Sequence, residues 1–262
     1  MKTVLLAGGF GTRIRDVAAD IPKPMLSIGP YPILVHIMKI YAMANFRHFI
    51  VALGYKGDVL KQYFLNFGTN THDLTVHLGG KPKVTYHRTR EPFAANWKVT
   101  LVDTGEKAMT GARVRAIRTY LSDDETFMLT YGDGVGDIPI RDLLAFHKRH
   151  GKILTITGVR PPGRFGELAI KNQVEVIGFN EKPQATGGMI SGGFFVCDRR
   201  VFDYLDGGED LVFEQGPIQR LTSDGQVAVF QHKGFWHAMD THRDYVYLND
   251  IWEKGTAPWK TW

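Results

Sequence analysis

Cysteine is almost missing from this chain: Cys197 is the only one in 262 residues. An internal disulfide is therefore excluded, which suits a reducing, cytoplasmic setting. Long apolar runs are missing as well. Residues 32–46 come nearest, but His36 and Lys39 interrupt them as in an amphipathic helix, and no membrane span is expected. Residues 1–7 start like a signal peptide, yet their apolar stretch is too short and runs into Gly8, Gly9 and Arg13. A basic block is absent too. Lys and Arg number 32 against 27 Asp and Glu, a net charge of +5, but they are scattered. That speaks against a nucleic-acid partner and suits small phosphorylated ones.

What is present is an alternation of strands and helices. Residues 3–7 read as a buried strand, 32–45 as a helix, 48–52 as a strand and 56–67 as a helix stopped by Gly68. Strand-helix-strand-helix order implies right-handed crossovers and a parallel sheet. Helices are expected at 109–120 and at 139–149, the latter closed by Gly151, and strands at 126–131 and 153–159. The second half adds strands at 174–180, 189–198 and 226–231, and helices near 199–205, 212–224 and 241–253. With no internal repeat and no clear linker, one domain over residues 1–262 is the simplest account. The expected fold class is α/β: a Rossmann-like mixed, mostly parallel sheet flanked by helices.

A glycine-rich turn follows the first strand: Leu6, Ala7, Gly8, Gly9, Phe10, Gly11, Thr12, Arg13. Adjacent glycines let backbone N–H groups approach phosphate oxygens. Thr12 adds a hydroxyl donor and Arg13 a permanently charged fork. No Gly-Lys-Ser/Thr follows, so this is not a Walker loop, and Ile14 replaces the third glycine of a dinucleotide fingerprint. Further on, Pro22 and Pro24 hold Lys23 in a segment expected to be extended and stiff. Tyr131, Gly132, Asp133 and Gly134 follow the strand read most strongly in the chain, where a carboxylate points into a ligand crevice. Met239, Asp240 and Thr241 precede a helix; Asp240 is either a second site carboxylate or, like Thr241, a cap.

Taken together, Gly-Gly-x-Gly-Thr-Arg followed by Pro-Lys-Pro-Met is similar to the signature of the sugar nucleotidyltransferase superfamily, with its GT-A-like fold. The resemblance implies that residues 1 to about 135 bind a nucleotide and the remainder a sugar phosphate. It makes Leu6, Ala7, Gly8, Gly9, Gly11, Thr12, Arg13, Lys23 and Gly132 nucleotide contacts, with Lys23 on the α-phosphate. Asp133 and Asp240 match the family's Mg²⁺-binding aspartates, and two carboxylates completed by water and phosphate suit that ion. Arg13, Lys23, Asp133 and Asp240 are then the catalytic set. Tyr131, Glu181, Lys182 and Gly193 become sugar-phosphate contacts, although Glu181-Lys182 read alone is a solvated surface pair. Gly192 and Gly193 inside a strand imply a close approach, such as a sugar ring.

The choice of base comes from further segments that look like the glucose-1-phosphate cytidylyltransferases: residues 99–105, Met109-Thr110-Gly111-Ala112-Arg113, Pro161 to Gly166, Gly234-Phe235-Trp236 and residues 252–262. The resemblance implies CTP and glucose 1-phosphate as substrates, CDP-glucose as product and a homo-oligomer. Thr110, Gly111 and Arg113 would meet the base, Arg113 donating to the cytosine O2 and N3 acceptors. Ala112 departs from the glycine usual in that group, and residues 90–98 are longer than its pattern. Another sugar 1-phosphate, UTP or dTTP, or a non-catalytic nucleotide-sugar binder are the alternatives. His232, His237 and His242 share no helical or strand face and are not read as a zinc site. Trp252, Trp259 and Trp262 are read as packing a tail.

Overall fold

A computed structural model describes residues 1–9, 21–81, 83–89, 94, 96–121, 124–161, 167–172, 175–180 and 188–262. Seven strands make its central sheet: β1 (Thr3–Ala7), β2 (His48–Leu53), β3 (Lys98–Asp103), β4 (Thr126–Tyr131), β5 (Leu154–Val159), β6 (Ile190–Asp198) and β7 (Val227–Gln231). Their spatial order is β7-β5-β6-β4-β1-β2-β3. Within this sheet β6 runs antiparallel to β5 and β4, and the other pairings are parallel. The sheet is thus mixed and mostly parallel, as expected.

The helices are α1 (Ile33–Met43), α2 (Gly57–Leu65), α3 (Phe67–Thr71), α4 (Thr110–Ala116), α5 (Ile140–His150), α6 (Gly216–Ser223) and α7 (His242–Glu253). They cover both faces of the sheet, which is why β1 is buried at every position and apolar from Val4 to Ala7. Val4 and Leu6 enter a core with Ile50, Leu129, Val114 and Phe213. Leu5 and Ala7 enter the opposite one, with Phe49, Met128, Ile37 and Trp259. Each such side chain contributes about 1.5–3 kcal/mol on full burial.

Several boundaries differ from expectation. Gly68 does not stop a helix; it lies inside the short α3. Helix α4 is shorter than predicted and gives way to a 3-10 turn at Arg118–Leu121. Residues 199–204 form a 3-10 turn, and α6 starts at Gly216 because the residues before it grip α4 instead. An antiparallel hairpin, His72–His77 with Lys83–Thr89, stands apart from the main sheet. The tail packs as predicted: Trp259 is fully buried and its indole N–H donates to His36 Nδ1 at 3.2 Å. The His36 Nε2 lies 2.9 Å from the Ile28 carbonyl, and burial pushes the imidazole pKa down to about 4.

The order β3-β2-β1-β4 places neighbouring strands on either side of β1. The carboxyl ends of β1, β2 and β4 therefore open at a topological switch point, where α/β sheets bind ligands. Residues Gly8, Gly54 and Asp133 follow those three ends.

Candidate active site

The two aspartates meet through a short ladder. Gly134–Gly136 pairs antiparallel with Trp236–Ala238, with Ala238 opposite Gly134. The Met239 N–H then donates to the Asp133 carbonyl at 2.8 Å. Asp240, one residue on, is carried to Asp133 across 107 positions of chain. Thr241, not Asp240, caps α7: Thr241 Oγ1 accepts the Asp244 N–H, and Asp244 Oδ2 accepts the Thr241 N–H. The carboxylate of Asp240 is thereby left for the site.

Lys23 closes the cluster. Its Nζ stands 2.6 Å from Asp133 Oδ2 and 2.5 Å from Asp240 Oδ1. The backbone there is not extended, as the two prolines had suggested. Lys23–Met25 is a 3-10 turn, with the Met25 N–H on the Pro22 carbonyl and Pro24 and Met25 buried beneath. The turn is anchored by packing, so the lysine leaves the surface at a defined place. Burial disfavours its charge, but Asp133 and Asp240 outweigh this and hold its pKa above that of an ordinary lysine.

A cavity of about 180 Å³ opens beside the cluster, lined by Tyr131, Asp133, Asp240, Gly192, Gly193 and Trp236. Gly193 has φ +75°, and a Cβ there would stand 2.4 Å from Tyr131 Cδ2. A Cβ at Gly192 would meet Val159 at 2.7 Å. The close approach predicted at these glycines is therefore made by the protein's own side chains. The Trp236 indole N–H donates to the Gly192 carbonyl at 2.7 Å and fixes the opposite wall. Sequence reasoning had passed over Trp236 as a site residue, and the Gly-Phe-Trp run was the available signal.

Arg113 is 4% exposed, and its guanidinium is held by protein oxygens. Nη1 donates to the Leu53 carbonyl, Thr104 Oγ1 and the Gly105 carbonyl, each at 2.8 Å. Nη2 donates to the carbonyls of Gly8 at 2.9 Å and Glu106 at 3.2 Å. Gly8 and Gly54 make room for it, since a Cβ on either would fall within 2.4 Å of a guanidinium atom. Burial lowers its pKa from the usual arginine value, with Asp103 opposing. The sequence had assigned these donors to a base. In the structure they brace the ends of β1 and β2 and the loop after β3. Gly54 and Thr104 were not foreseen in this role.

The remaining predicted residues divide clearly. Leu6 and Ala7 end β1, and the Leu6 carbonyl accepts the Gly132 N–H at 3.0 Å. Gly9 is exposed, with open space at its Cβ position. Thr110 and Gly111 begin α4 and contact Glu214 and Leu211. Gly11, Thr12, Arg13, Glu181 and Lys182 lie outside the described residues. His232 and His237 bond to Asp137 and Asp244 respectively, away from each other.

The carboxylates fit a hard cation. Two anionic oxygens converge on one cationic nitrogen, which is the arrangement a small divalent ion needs from the protein side. Among the described residues no group of three or more His, Cys, Asp or Glu could hold a metal. Water and substrate oxygens would have to complete the shell.

Comparison with known proteins places the chain in a family. Residues 2–254 match the nucleotidyl transferase family model. The chain is 48% identical over 262 residues to the glucose-1-phosphate cytidylyltransferase of Salmonella typhimurium, covering all of both chains. Among solved structures, HddC from Yersinia pseudotuberculosis aligns with a TM-score of 0.69 at 23% identity, over 96% of this chain and 99% of that one. A UDP-glucose pyrophosphorylase complexed with UDP-glucose also gives 0.69, at 14% identity, over 97% and 98%. These two establish the fold alone. With a sheet whose switch point gathers Lys23, Asp133 and Asp240, and with full-length identity of this degree, the chain belongs to the nucleotidyl transferase family and, within it, to the glucose-1-phosphate cytidylyltransferases.

Proposed function

We propose that this protein joins CTP and α-D-glucose 1-phosphate to give CDP-glucose and pyrophosphate. The observation that carries the reading is the convergence of Lys23, Asp133 and Asp240 at the mouth of the Tyr131–Gly193 cavity. The family relationship supports the reaction class and the relative's name supports the substrates. An oxygen of the sugar phosphate attacks the α-phosphorus of CTP, and the bond to the bridging oxygen breaks, with pyrophosphate leaving as the anion. The nucleophile is already ionised at neutral pH, so the protein needs no strong general base. Its task is positioning and charge stabilisation.

In this reading Lys23 turns from the carboxylates to the α-phosphate when nucleotide arrives. Asp133 and Asp240, released from it, would hold Mg²⁺. When bound, that ion neutralises charge on the α-phosphate and the departing pyrophosphate. Gly8 and Gly9 give the phosphates access to backbone N–H groups, Gly132 lets Asp133 lie close behind the end of β1, and Arg13 adds charge from the glycine-rich stretch. Tyr131, Gly193, Glu181 and Lys182 take the sugar phosphate. Thr110 and Gly111 border the base, while Arg113 keeps the strand ends that frame it in place. Soluble phosphorylated substrates suit a cytoplasmic enzyme, and no described helix is long and apolar enough to cross a membrane. Exposed Leu65, Leu78 and Tyr86, around the outlying hairpin, support association between copies.

A pyrophosphate-release screen over four nucleoside triphosphates and a panel of sugar 1-phosphates tests the proposal. CTP with glucose 1-phosphate should give the highest kcat/KM. Preference for UTP, dTTP or another sugar would keep the chemistry and reject the substrates. No release with any pair, in the presence of Mg²⁺, would reject the reaction.

A further inference from the structure

Glu214 was not singled out by any motif, yet its carboxylate touches both halves of the site. It lies half-buried in the turn ahead of α6. One oxygen accepts the Tyr131 hydroxyl and the other accepts Thr110 Oγ1–H at 2.6 Å. Thr110 Oγ1 in turn accepts the Phe213 N–H at 2.9 Å. The same stretch grips the start of α4 through its backbone. Leu211 accepts the N–H groups of Gly111 and Ala112, and Glu209 accepts that of Met109.

The two ends of this bridge lead to different ligands. Thr110 begins α4, and Arg113, one turn later, holds the carbonyls of Gly8 and Leu53 at the ends of β1 and β2. Tyr131 ends β4, lies against Gly193 in the cavity wall and stands two residues before Asp133. Hydrogen bonds to a carboxylate are short and strong, and two of them on one side chain transmit displacement from either partner to the other. Burial and the neighbouring Glu214 both raise the Tyr131 pKa, so the phenol stays a donor across the working range.

We propose that Glu214 is a positioning residue that couples the two substrate subsites, so that nucleotide seated against α4 sets Tyr131 for the sugar phosphate and the reverse. The proposal rests on the reading of the two subsites given above. Its carboxylate acts through Thr110 and Tyr131 and not on the reacting atoms.

The test is isothermal titration of α-D-glucose 1-phosphate into the enzyme with Mg²⁺, with and without saturating α,β-methylene CTP, an analogue that cannot release pyrophosphate. In the natural protein, the analogue should tighten sugar-phosphate binding by about fivefold or more, the usual lower range for linked sites. Glu214→Ala should bring that ratio to within about twofold of unity while leaving the affinity for the analogue alone nearly unchanged; its melting temperature should fall, because Tyr131 and Thr110 lose an acceptor. Glu214→Gln should retain the ratio, because its amide can accept from Tyr131 and donate to Thr110. Should Glu214→Ala not fold, Tyr131→Phe removes one arm only and must also lower the ratio. A ratio that survives loss of either arm overturns the proposal, as does a natural enzyme that binds both ligands with no mutual effect. In that last case the subsite reading stands. A natural enzyme that binds neither ligand overturns both.

Discussion

Lys23 Nζ lies 2.5 Å from Asp240 Oδ1, although 217 positions separate the two residues in the chain. The same nitrogen reaches Asp133 at 2.6 Å. A cation supplied by the protein thus occupies the point where two site carboxylates converge.

If lysine and metal compete for that point, removing the lysine should help the metal. Lys23→Met is expected to bind Mn²⁺, in the absence of nucleotide, about tenfold more tightly than the natural protein, by analogy with the loss of any competing charge partner. Its turnover should fall by about 100-fold or more, since the α-phosphate loses its fixed charge. Electron paramagnetic resonance of free Mn²⁺ reads the first effect without requiring activity. Weaker Mn²⁺ binding in the variant would contradict the competition.

Asp133→Ala and Asp240→Ala should each reduce kcat by at least about 100-fold with an unchanged circular dichroism spectrum. Neither carboxylate caps a helix or fills a core, so the fold has little need of them. Near-normal turnover in a folded Asp133→Ala protein would remove the metal assignment.

Gly193→Ala places a methyl group in the ring of Tyr131 and forces an alanine into left-handed backbone. The conformational cost alone is about 1–2 kcal/mol. The melting temperature should drop, and KM for the sugar phosphate should rise more than KM for the nucleotide. Equal effects on both would mean that the cavity is not the sugar subsite.

Arg113→Lys keeps a charge but loses the planar fork. Five oxygens now share one guanidinium, and a lysine ammonium cannot meet them all. We expect a loss of about 1–3 kcal/mol, the scale of buried groups left without a partner, measured by urea unfolding. A variant as stable as the natural protein would show that the bracing is unimportant.

Stability should also depend on pH through two buried histidines. Burial lowers the pKa of His36 and His147 to about 4 from the ordinary histidine value of 6.5. In the unfolded chain both take up a proton as pH falls through about 6.5, whereas in the folded protein they stay neutral until about 4. The unfolded state therefore binds more protons within that window, and stability declines as pH falls, by about 1.4 kcal/mol per unit for each imidazole. Above about 6.5 neither contributes a slope. Urea midpoints from pH 4 to 8 check this, and His36→Gln should flatten the curve.

Much of this architecture was legible in the residues. Strands β1 and β4 carry unbroken apolar runs, Val4 to Ala7 and Phe127 to Leu129, which a two-sided core requires. Gly151 closes α5 in left-handed backbone as its position suggested. Asp133 and Asp240 were singled out by resemblance, since an Asp-Gly turn and a helix start read alone leave a turn or a cap as the alternative. Three things were not legible. Four of the five partners of Arg113 are main-chain carbonyls, and no side-chain pattern marks a carbonyl. Glu214 lies 83 positions from Tyr131 and 104 from Thr110, and an isolated glutamate in a turn carries no signal. The hairpin strands at 72–77 and 83–89 are rich in histidine, threonine and charge, so alternation could not identify them as a sheet face. Lys23 fell between: its two flanking prolines marked the segment, but its 3-10 turn depended on where Pro24 and Met25 would be buried.

The three-rung ladder between Gly134–Gly136 and Trp236–Ala238 works as a ruler. The separation of the two carboxylates is counted in rungs from Ala238 opposite Gly134, so inserting or deleting one residue beside either aspartate would rotate it off the shared face. Between the rungs run β5, β6 and β7, which have registers of their own, but the turns that join them are under no such constraint. Length changes among relatives should therefore gather in those turns and stop abruptly at the two feet of the ladder.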